Sequence, residues 1–340
     1  MNILILGLGS VGQRHLRNIK KTNPNAKIFA LRKKYTTPLL NNKNIVIKGD
    51  IKKKYSITYL ENLNEIIKNK INLHCAFVCT PSSMHVDQVI WLLKNNINCF
   101  VEKPLGSSLK NINYLEKLLK KKNKVKTMMG FQLRFNPIIN FLEKIIKKKS
   151  PVGKILSIHI HHGEHIEDFH PYEDYRISYA ANKELGGGVV LTQIHEIDYF
   201  MFLFKDYLIE KSNFITSKVS DLKINVEDNM YATFMLKKNK HRISCSMLLN
   251  FYERPKKRKI FIIGKYGSIE ACLNSQKLTI YKNKRKIIKK FIFSKNDIFL
   301  KEIKFFFSKI KSNQKIPDDL NLYNGVKTLR FALKLNKFKL

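Results

Sequence analysis

The chain opens on a pattern that leaves few folds open to it. Asn2-Ile-Leu-Ile-Leu6 is an apolar run of strand length. Gly7, Gly9 and Gly12 follow in G-x-G-x-x-G spacing, and the stretch from Gln13 onward reads as a helix. In a strand–turn–helix that cradles a pyrophosphate, each glycine has its own steric reason. Gly7 makes the tight turn, Gly9 lets the backbone approach the phosphates, and Gly12 lets the helix pack on the strand. The helix N-terminus adds N–H groups and a partial positive charge. The pattern predicts a nicotinamide-dinucleotide site built on Gly7, Gly9, Ser10, Val11 and Gly12.

Residues 26–31 read as the second strand. An acidic residue roughly 20 positions beyond such a loop normally holds the ribose hydroxyls. Arg32 stands there instead. A cation suits a 2′-phosphate, so NADP(H) is expected in preference to NAD(H). Residues 45–47 offer a short third strand, and residues 60–67 carry apolar residues at helical spacing. Residues 76–79 form a strand running into Thr80-Pro81, ahead of His85 and a helix over 86–93. Residues 99–101 form a further strand that ends in Glu102-Lys103-Pro104. Short apolar strands alternating with helices predict a doubly wound parallel sheet. Ligands in such sheets bind beyond the carboxyl ends of the strands. That places Thr80, Pro81, His85, Glu102 and Lys103 among the cofactor contacts, with Lys103 at the nicotinamide edge. Pro104 fixes the bend and suits a cis bond. A basic amphipathic helix over 110–122 and a strand over 126–131 complete this half. The domain boundary is expected at 129/130.

Residues 154–165 alternate as a strand, with Ser157, His159 and His161 on one face and Leu156, Ile158 and Ile160 on the other. His159, His161, His162, His165 and His170 invite a metal reading. Strand spacing does not give the helical H-E-x-x-H geometry, so no metal is assigned. Gly186-Gly187-Gly188 leads into a helix starting near Val189, on which Thr192, His195 and Asp198 recur three apart and share a face. His195 is the natural proton shuttle near neutral pH. Strands over 229–236, 242–249, 259–263, 278–281 and 286–293 form a largely antiparallel sheet. Helices over 298–310 and 324–335 close the chain.

The formal charge of +38 suggests nucleic acid or an acidic membrane surface. The basic residues are scattered over every segment, without a tail or interleaved aromatics, so neither partner is expected. The five cysteines lie mostly in apolar strand-like runs, which reads as free thiols in a reducing cytosol. No apolar run approaches the roughly 20 residues of a membrane span. With no basic stretch before the first apolar run, a cytoplasmic location is expected.

Taken together the motifs resemble the glucose–fructose oxidoreductase / inositol dehydrogenase (Gfo/Idh/MocA) family. The matching residues are Gly7-x-Gly-Ser-Val-Gly12 with Arg14-His15, Glu102-Lys103-Pro104, Gly186-Gly-Gly188 with the helix to His195 and Asp198, and Gly264-x-x-Gly-Ser-Ile-Glu270. Within the family, the stretches 170–176 and 192–198 look like a bacterial branch linked to cell-surface sugar metabolism. The resemblance implies an α/β protein with a Rossmann domain over 1–129. A substrate-binding and oligomerisation domain follows over 130–340, with a large open, mostly antiparallel sheet. In that scheme the last helix returns to the first domain. It implies hydride transfer at a carbinol carbon of a sugar, cyclitol or nucleotide-sugar, and assembly as a homodimer or homotetramer through the open sheet. Lys103 and His195 become the acid/base pair, and Arg134, Tyr172, Arg176, Thr192 and His195 the substrate contacts. Where the family commonly places an Asp before this His, the chain has Thr192. A non-catalytic dinucleotide sensor and a reductase of an imine or unsaturated ring are the alternatives on the same scaffold.

Overall fold

The computed structural model describes residues 1–31, 38–148 and 150–336. In chain order the first elements are β1 (Asn2–Leu6), α1 (Ser10–Thr22), β2 (Lys27–Leu31), α2 (Ile51–Tyr55), β3 (Ile57–Leu60), α3 (Asn64–Lys68), β4 (Cys75–Val78), α4 (His85–Lys94), β5 (Asn98–Glu102), α5 (Ile112–Lys121) and β6 (Thr127–Gly130). Then come α6 (Pro137–Lys147), β7 (Ile155–Gly163), α7 (Val189–Thr192), α8 (Ile194–Leu203), β8 (Leu208–Ser217), β9 (Asn229–Lys238) and β10 (His241–Asn250). The chain continues through β11 (Lys257–Gly264), β12 (Gly267–Cys272), β13 (Lys277–Lys282), β14 (Arg285–Lys290), α9 (Lys295–Lys311) and α10 (Leu322–Leu335). These elements gather into two compact units. One holds Met1–Gln132 and Lys295–Leu329; the other holds Leu133–Ser294 and the described residues from Arg330.

The first unit is built on a parallel sheet in the order β3-β2-β1-β4-β5-β6. That is the doubly wound arrangement in which the order reverses beside β1, and dinucleotides bind at that reversal. Its strands are apolar runs because both faces are covered. Ile3, Leu4, Ile5, Leu6, Phe77 and Phe100 are fully buried. α9 supplies part of that cover, since Phe306 packs edge-on against Phe77 and Phe100, each at 5.8 Å between ring centroids. Burying each such side chain stabilises the unit by about 1.5–3 kcal/mol. The third strand is β3, not residues 45–47. Ile45 and Val46 are half exposed, and that segment makes a single antiparallel bridge, Leu40 to Val46.

The second unit is built on an eight-stranded sheet, β14-β13-β12-β11-β7-β10-β9-β8. Only β7 and β10 run parallel; every other pair is antiparallel. Ile158, Ile160 and His162 point inward from β7, while Ser157 and His159 face outward. The expected alternation fails at the start of the strand, where Ile155 is buried and Leu156 is 47% exposed. The register slips between Ile263 and Gly264, so that Gly264 pairs with Ile155 and Leu156 is the extra residue. β8 carries no readable apolar alternation. It is an edge strand, mostly exposed, and its register also slips between Ile209 and Lys211.

The helix expected from Val189 is two helices. It breaks at Gln193, whose side-chain amide donates to the Asn250 carbonyl at 2.9 Å. Thr192 therefore ends α7 and His195 sits in the first turn of α8, so their spacing no longer places them on one helix face. α8 is buried along almost its whole length.

Candidate active site

In the first unit the predicted loop is formed as the glycine spacing requires. Gly7 adopts φ +89°, and a Cβ there would stand 2.7 Å from the Cys79 carbonyl oxygen at the end of β4. A Cβ on Gly12 would stand 2.1 Å from the Gly7 carbonyl oxygen, so only glycine lets α1 lie this close to β1. A Cβ on Gly9 would meet nothing within 4 Å among the described residues. The first turn of α1 holds no acidic residue to compete for its N–H groups. An open approach at Gly9 beside a helix N-terminus fits a dinucleotide pyrophosphate. Ser10 and Val11 open that helix.

The ends of β4 and β5 meet beside this loop. Thr80 donates its hydroxyl to Gln88 Oε1 at 2.8 Å. His85 lies with Nε2 2.7 Å from the Thr80 carbonyl oxygen and Nδ1 2.8 Å from that of Pro104. The fully buried ring thus spans the two strand-end turns, and burial lowers its pKa despite those carbonyls. Pro81 precedes the short turn that leads into α4. Glu102 is buried, with Oε1 2.6 Å from His15 Nε2 on α1. Its Oε2 accepts from the Lys103 backbone N–H at 3.2 Å. The Lys103–Pro104 peptide is cis. The structure therefore gathers the glycine loop, Thr80, His85, Glu102 and Lys103 within one unit. Arg32 lies outside the described residues.

In the second unit the glycine triplet is shaped by its neighbours. Gly186 and Gly188 adopt φ +87° and +98°. A Cβ on Gly188 would stand 2.3 Å from Glu227 Oε1. Glu227 accepts from the Val190 N–H at 3.2 Å and from Asn336 Nδ2 at 3.1 Å. Burial pushes its carboxyl up to about 7, against those hydrogen bonds and with the help of Asp228. Thr192 and His195 follow, both buried.

Asp198 lies three residues beyond His195 on α8 and is engaged by a cation. Its carboxylate accepts Arg134 Nε at 2.7 Å and Nη2 at 2.8 Å in a buried bidentate pair. The guanidinium also stacks 3.9 Å above the Phe202 ring centre. Arg134 is thereby tied to α8. On another side of the helix, fully buried Glu196 accepts Arg258 Nε at 2.6 Å and lies 3.2 Å from His162 Nδ1. Burial alone would push the Glu196 carboxyl up, but Arg258 and His162 hold it well below the usual carboxylate range. Tyr172 stacks beside His170, and Arg176 pairs with Asp174 on the largely exposed turns that follow. Arg176 also lines a cavity of about 390 Å³ with Asn182, Lys218, Lys223 and Asn225.

Glu227 and Arg258 escaped the sequence reading, and His162 entered it only as one of a histidine cluster. The available signal was charge: acids number 26 against 64 basic residues, so an acid inside an apolar context is itself informative. The run Arg254-Pro-Lys-Lys-Arg-Lys259 looks like a polyanion patch. In the fold, Arg254 pairs with Glu167 and Asp168, Lys256 with Glu164, Lys257 with Glu253, Arg258 with Glu196 and Lys259 with Glu270. Among the described residues no group of His, Cys, Asp and Glu side chains forms a metal site. No described helix is long and apolar enough to cross a membrane.

Two family descriptions match the chain. The oxidoreductase family, NAD-binding Rossmann fold (GFO_IDH_MocA), matches residues 1–131. The C-terminal alpha/beta domain of the same oxidoreductase family matches residues 148–317. The chain belongs to the Gfo/Idh/MocA oxidoreductase family. A nicotinamide-dinucleotide cofactor comes with that membership and with the loop geometry above. No curated protein matches the chain in sequence. Among solved structures, myo-inositol 2-dehydrogenase from Lactobacillus plantarum superimposes with a TM-score of 0.76 at 17% identity, covering 98% of this chain and 96% of that one. UDP-N-acetylglucosamine 3-dehydrogenase GnnA from Acidithiobacillus ferrooxidans gives 0.73 at 14% identity, with the same coverage. The WlbA dehydrogenase from Bordetella pertussis, solved with NADH and UDP-GlcNAcA, gives 0.74 at 14%, covering 98% of this chain and 95% of that one. At these identities the likeness describes the family fold.

Proposed function

We propose that the protein is an NAD(P)-dependent dehydrogenase or reductase that moves a hydride to or from a carbinol carbon of a sugar, cyclitol or nucleotide-sugar. The observation that carries this reading is Lys103 at the carboxyl end of β5, its peptide fixed by Glu102 beside the dinucleotide loop. The fold neighbours named for UDP-N-acetylglucosamine, UDP-GlcNAcA and myo-inositol support the substrate class. When bound, the nicotinamide supplies the hydride acceptor or donor at its C4. The chain supplies the rest. Lys103 hydrogen-bonds the reacting oxygen and exchanges its proton, with His195 as partner. Thr192 offers a hydroxyl to a substrate oxygen, but it cannot accept a proton at neutral pH as a carboxylate would. Tyr172 and Arg176 orient the remainder of the substrate, and the cationic cavity beside Arg176 suits an acidic group on it. Arg134, tied to Asp198, serves by holding α8.

In this reading residues 1–129 bind the cofactor, and residues 130–340 bind substrate and assemble the oligomer. Arg32 supports NADP(H) as the preferred cofactor, whereas the NADH of the WlbA complex supports the alternative. The outward face of the eight-stranded sheet exposes Ile215 and Tyr231, at 64% and 46%, which supports a homodimer or homotetramer through that face. The cytoplasm is the compartment that supplies such a cofactor.

The deciding experiment is Lys103→Ala, with binding read using NADH and NADPH and turnover read as reduction of NAD+ and NADP+ by UDP-N-acetylglucosamine, its uronate and myo-inositol. Nicotinamide fluorescence follows binding and absorbance follows turnover. The expected result is retained cofactor binding with turnover lower by about 100- to 10,000-fold. Unchanged turnover overturns the assignment of Lys103, and absence of hydride transfer from any of the three to NAD+ or NADP+ by the parent enzyme overturns the substrate class.

A further inference from the structure

His15 is fully buried in the first unit, three residues beyond the last loop glycine. Its ring lies among Phe77, Phe100 and Phe299, with centroids at 5.5, 5.0 and 6.1 Å. An apolar side chain would suit those walls. A buried ion pair is in general no more stabilising than well-packed hydrophobic groups of the same volume. Stability therefore does not account for an imidazole here.

The Glu102 contact does. His15 Nε2 sits 2.6 Å from Glu102 Oε1, and Glu102 Oε2 receives the Lys103 N–H. His15 Nδ1 has no hydrogen-bond partner among the described residues, so the ring is aimed by Glu102 and the three aromatic rings. Burial pushes the Glu102 carboxyl up, but the His15 hydrogen bond and charge, followed by the Lys103 charge, bring it below its ordinary value. β6 closes the other side. A Cβ on Gly130 would stand 3.2 Å from Glu102 Cδ, which leaves the carboxylate little room to swing.

We propose that His15 is a positioning residue for hydride transfer. Through Glu102 it fixes the Lys103 peptide to α1, the helix whose first turn carries the dinucleotide loop. One helix then sets both where the nicotinamide dinucleotide is held and where the lysine stands. The proposal rests on Lys103 being the acid/base of the reaction described above.

The test uses His15→Phe, which suits the aromatic walls but cannot donate to Glu102, and His15→Gln, which can. Three readouts are taken on the full chain: NADH binding by fluorescence, kcat and KM for whichever sugar the parent enzyme turns over, and amide hydrogen exchange with NADH bound. In His15→Phe, NADH affinity and KM stay within about threefold while kcat falls by about 100-fold, the size expected for a misplacement of about 1 Å. Exchange rises in peptide 99–106 and not in β1 or α5. His15→Gln restores kcat to within about threefold of the parent. A loss shared equally by cofactor affinity, kcat and exchange throughout the unit would make His15 merely structural and overturn the proposal, as would an unchanged kcat. Should His15→Phe fail to fold, Glu102→Gln reads the same contact from the other side. It is expected to show the same confined rise in exchange with a kcat loss of about tenfold, and no confined rise overturns the proposal. If the parent enzyme transfers no hydride, the substrate reading fails on its own, and exchange at 99–106 still decides His15: a confined rise supports it and no change overturns it.

Discussion

At the end of β5, Lys103 is fixed by atoms that belong to its own sheet and to the helix that follows β1. α8, the helix that carries His195, is fixed by charges recruited from far along the chain. Asp198 draws Arg134 from 64 residues away, and Glu196 draws Arg258 from 62. The first arrangement is mostly steric. Glycines allow main chain to approach main chain, and short side-chain bonds finish the work. The second is mostly electrostatic. Buried carboxylates sit against a nearly apolar helix and are tolerable only because cations reach them. A local geometry can be altered one atom at a time. A buried charge network fails as a whole when one member is removed.

The largest effect on cofactor binding that would sharpen this contrast comes from Gly12→Ala. Its Cβ would fall on the Gly7 carbonyl oxygen, so α1 must move off the strand. NADH affinity, read by fluorescence, should drop by about 100-fold or more, close to 3 kcal/mol. Hydrogen exchange of β7 to β11 should stay as in the parent protein. Loss of protection in that sheet would show that the two regions are coupled.

The largest effect on stability comes from Asp198→Asn. It leaves the buried Arg134 guanidinium without its anion and should cost about 3–5 kcal/mol in urea unfolding. Cofactor binding should be unchanged. A cost near zero would mean that steric packing alone, including the Phe202 stack, holds α8.

Glu227→Gln is the smallest of the three and depends on pH. The folded carboxyl titrates near 7, above its ordinary value of 4.5, so the folded protein binds the extra proton between those limits. This group's contribution is therefore most favourable below about pH 4.5 and declines as pH rises through 7. The glutamine variant should be more stable than the parent by about 3 kcal/mol at pH 8, one pKa unit being worth about 1.4, and equal to it near pH 4.5. Equal stability at both pH values would remove Glu227 from the charged elements that shape the second region.

The same contrast explains what could be read before the fold was known. Gly7, Gly12 and the β1–α1 succession are local, and spacing alone recovers them. The place of Lys103 at the end of β5 was legible from the strand pattern before it. The place of His195 beyond the glycine triplet was legible, but the helix break before it was not. The break at Gln193 depends on a bond to Asn250, 57 residues later. Asp198 looked like a partner for His195 because both lie on one helix; nothing in the spacing reveals Arg134. Leu156 misled for the reason that bulges always mislead: one extra residue inverts the alternation behind it. The cationic run from Arg254 to Lys259 carried the opposite lesson. Its partners come from several places along the chain, and composition alone overstates how much of its charge is available to anything else.

Gly7 and Gly12 are glycines because the protein's own main chain would strike any side chain placed there. Gly9 is different. Its φ of −67° is open to every L-residue, and its side-chain direction meets nothing within 4 Å among the described residues. Folding alone would accept alanine at this position. The residue thus works as an imprint: a site where the sequence records the outline of a molecule that the polypeptide does not itself encode.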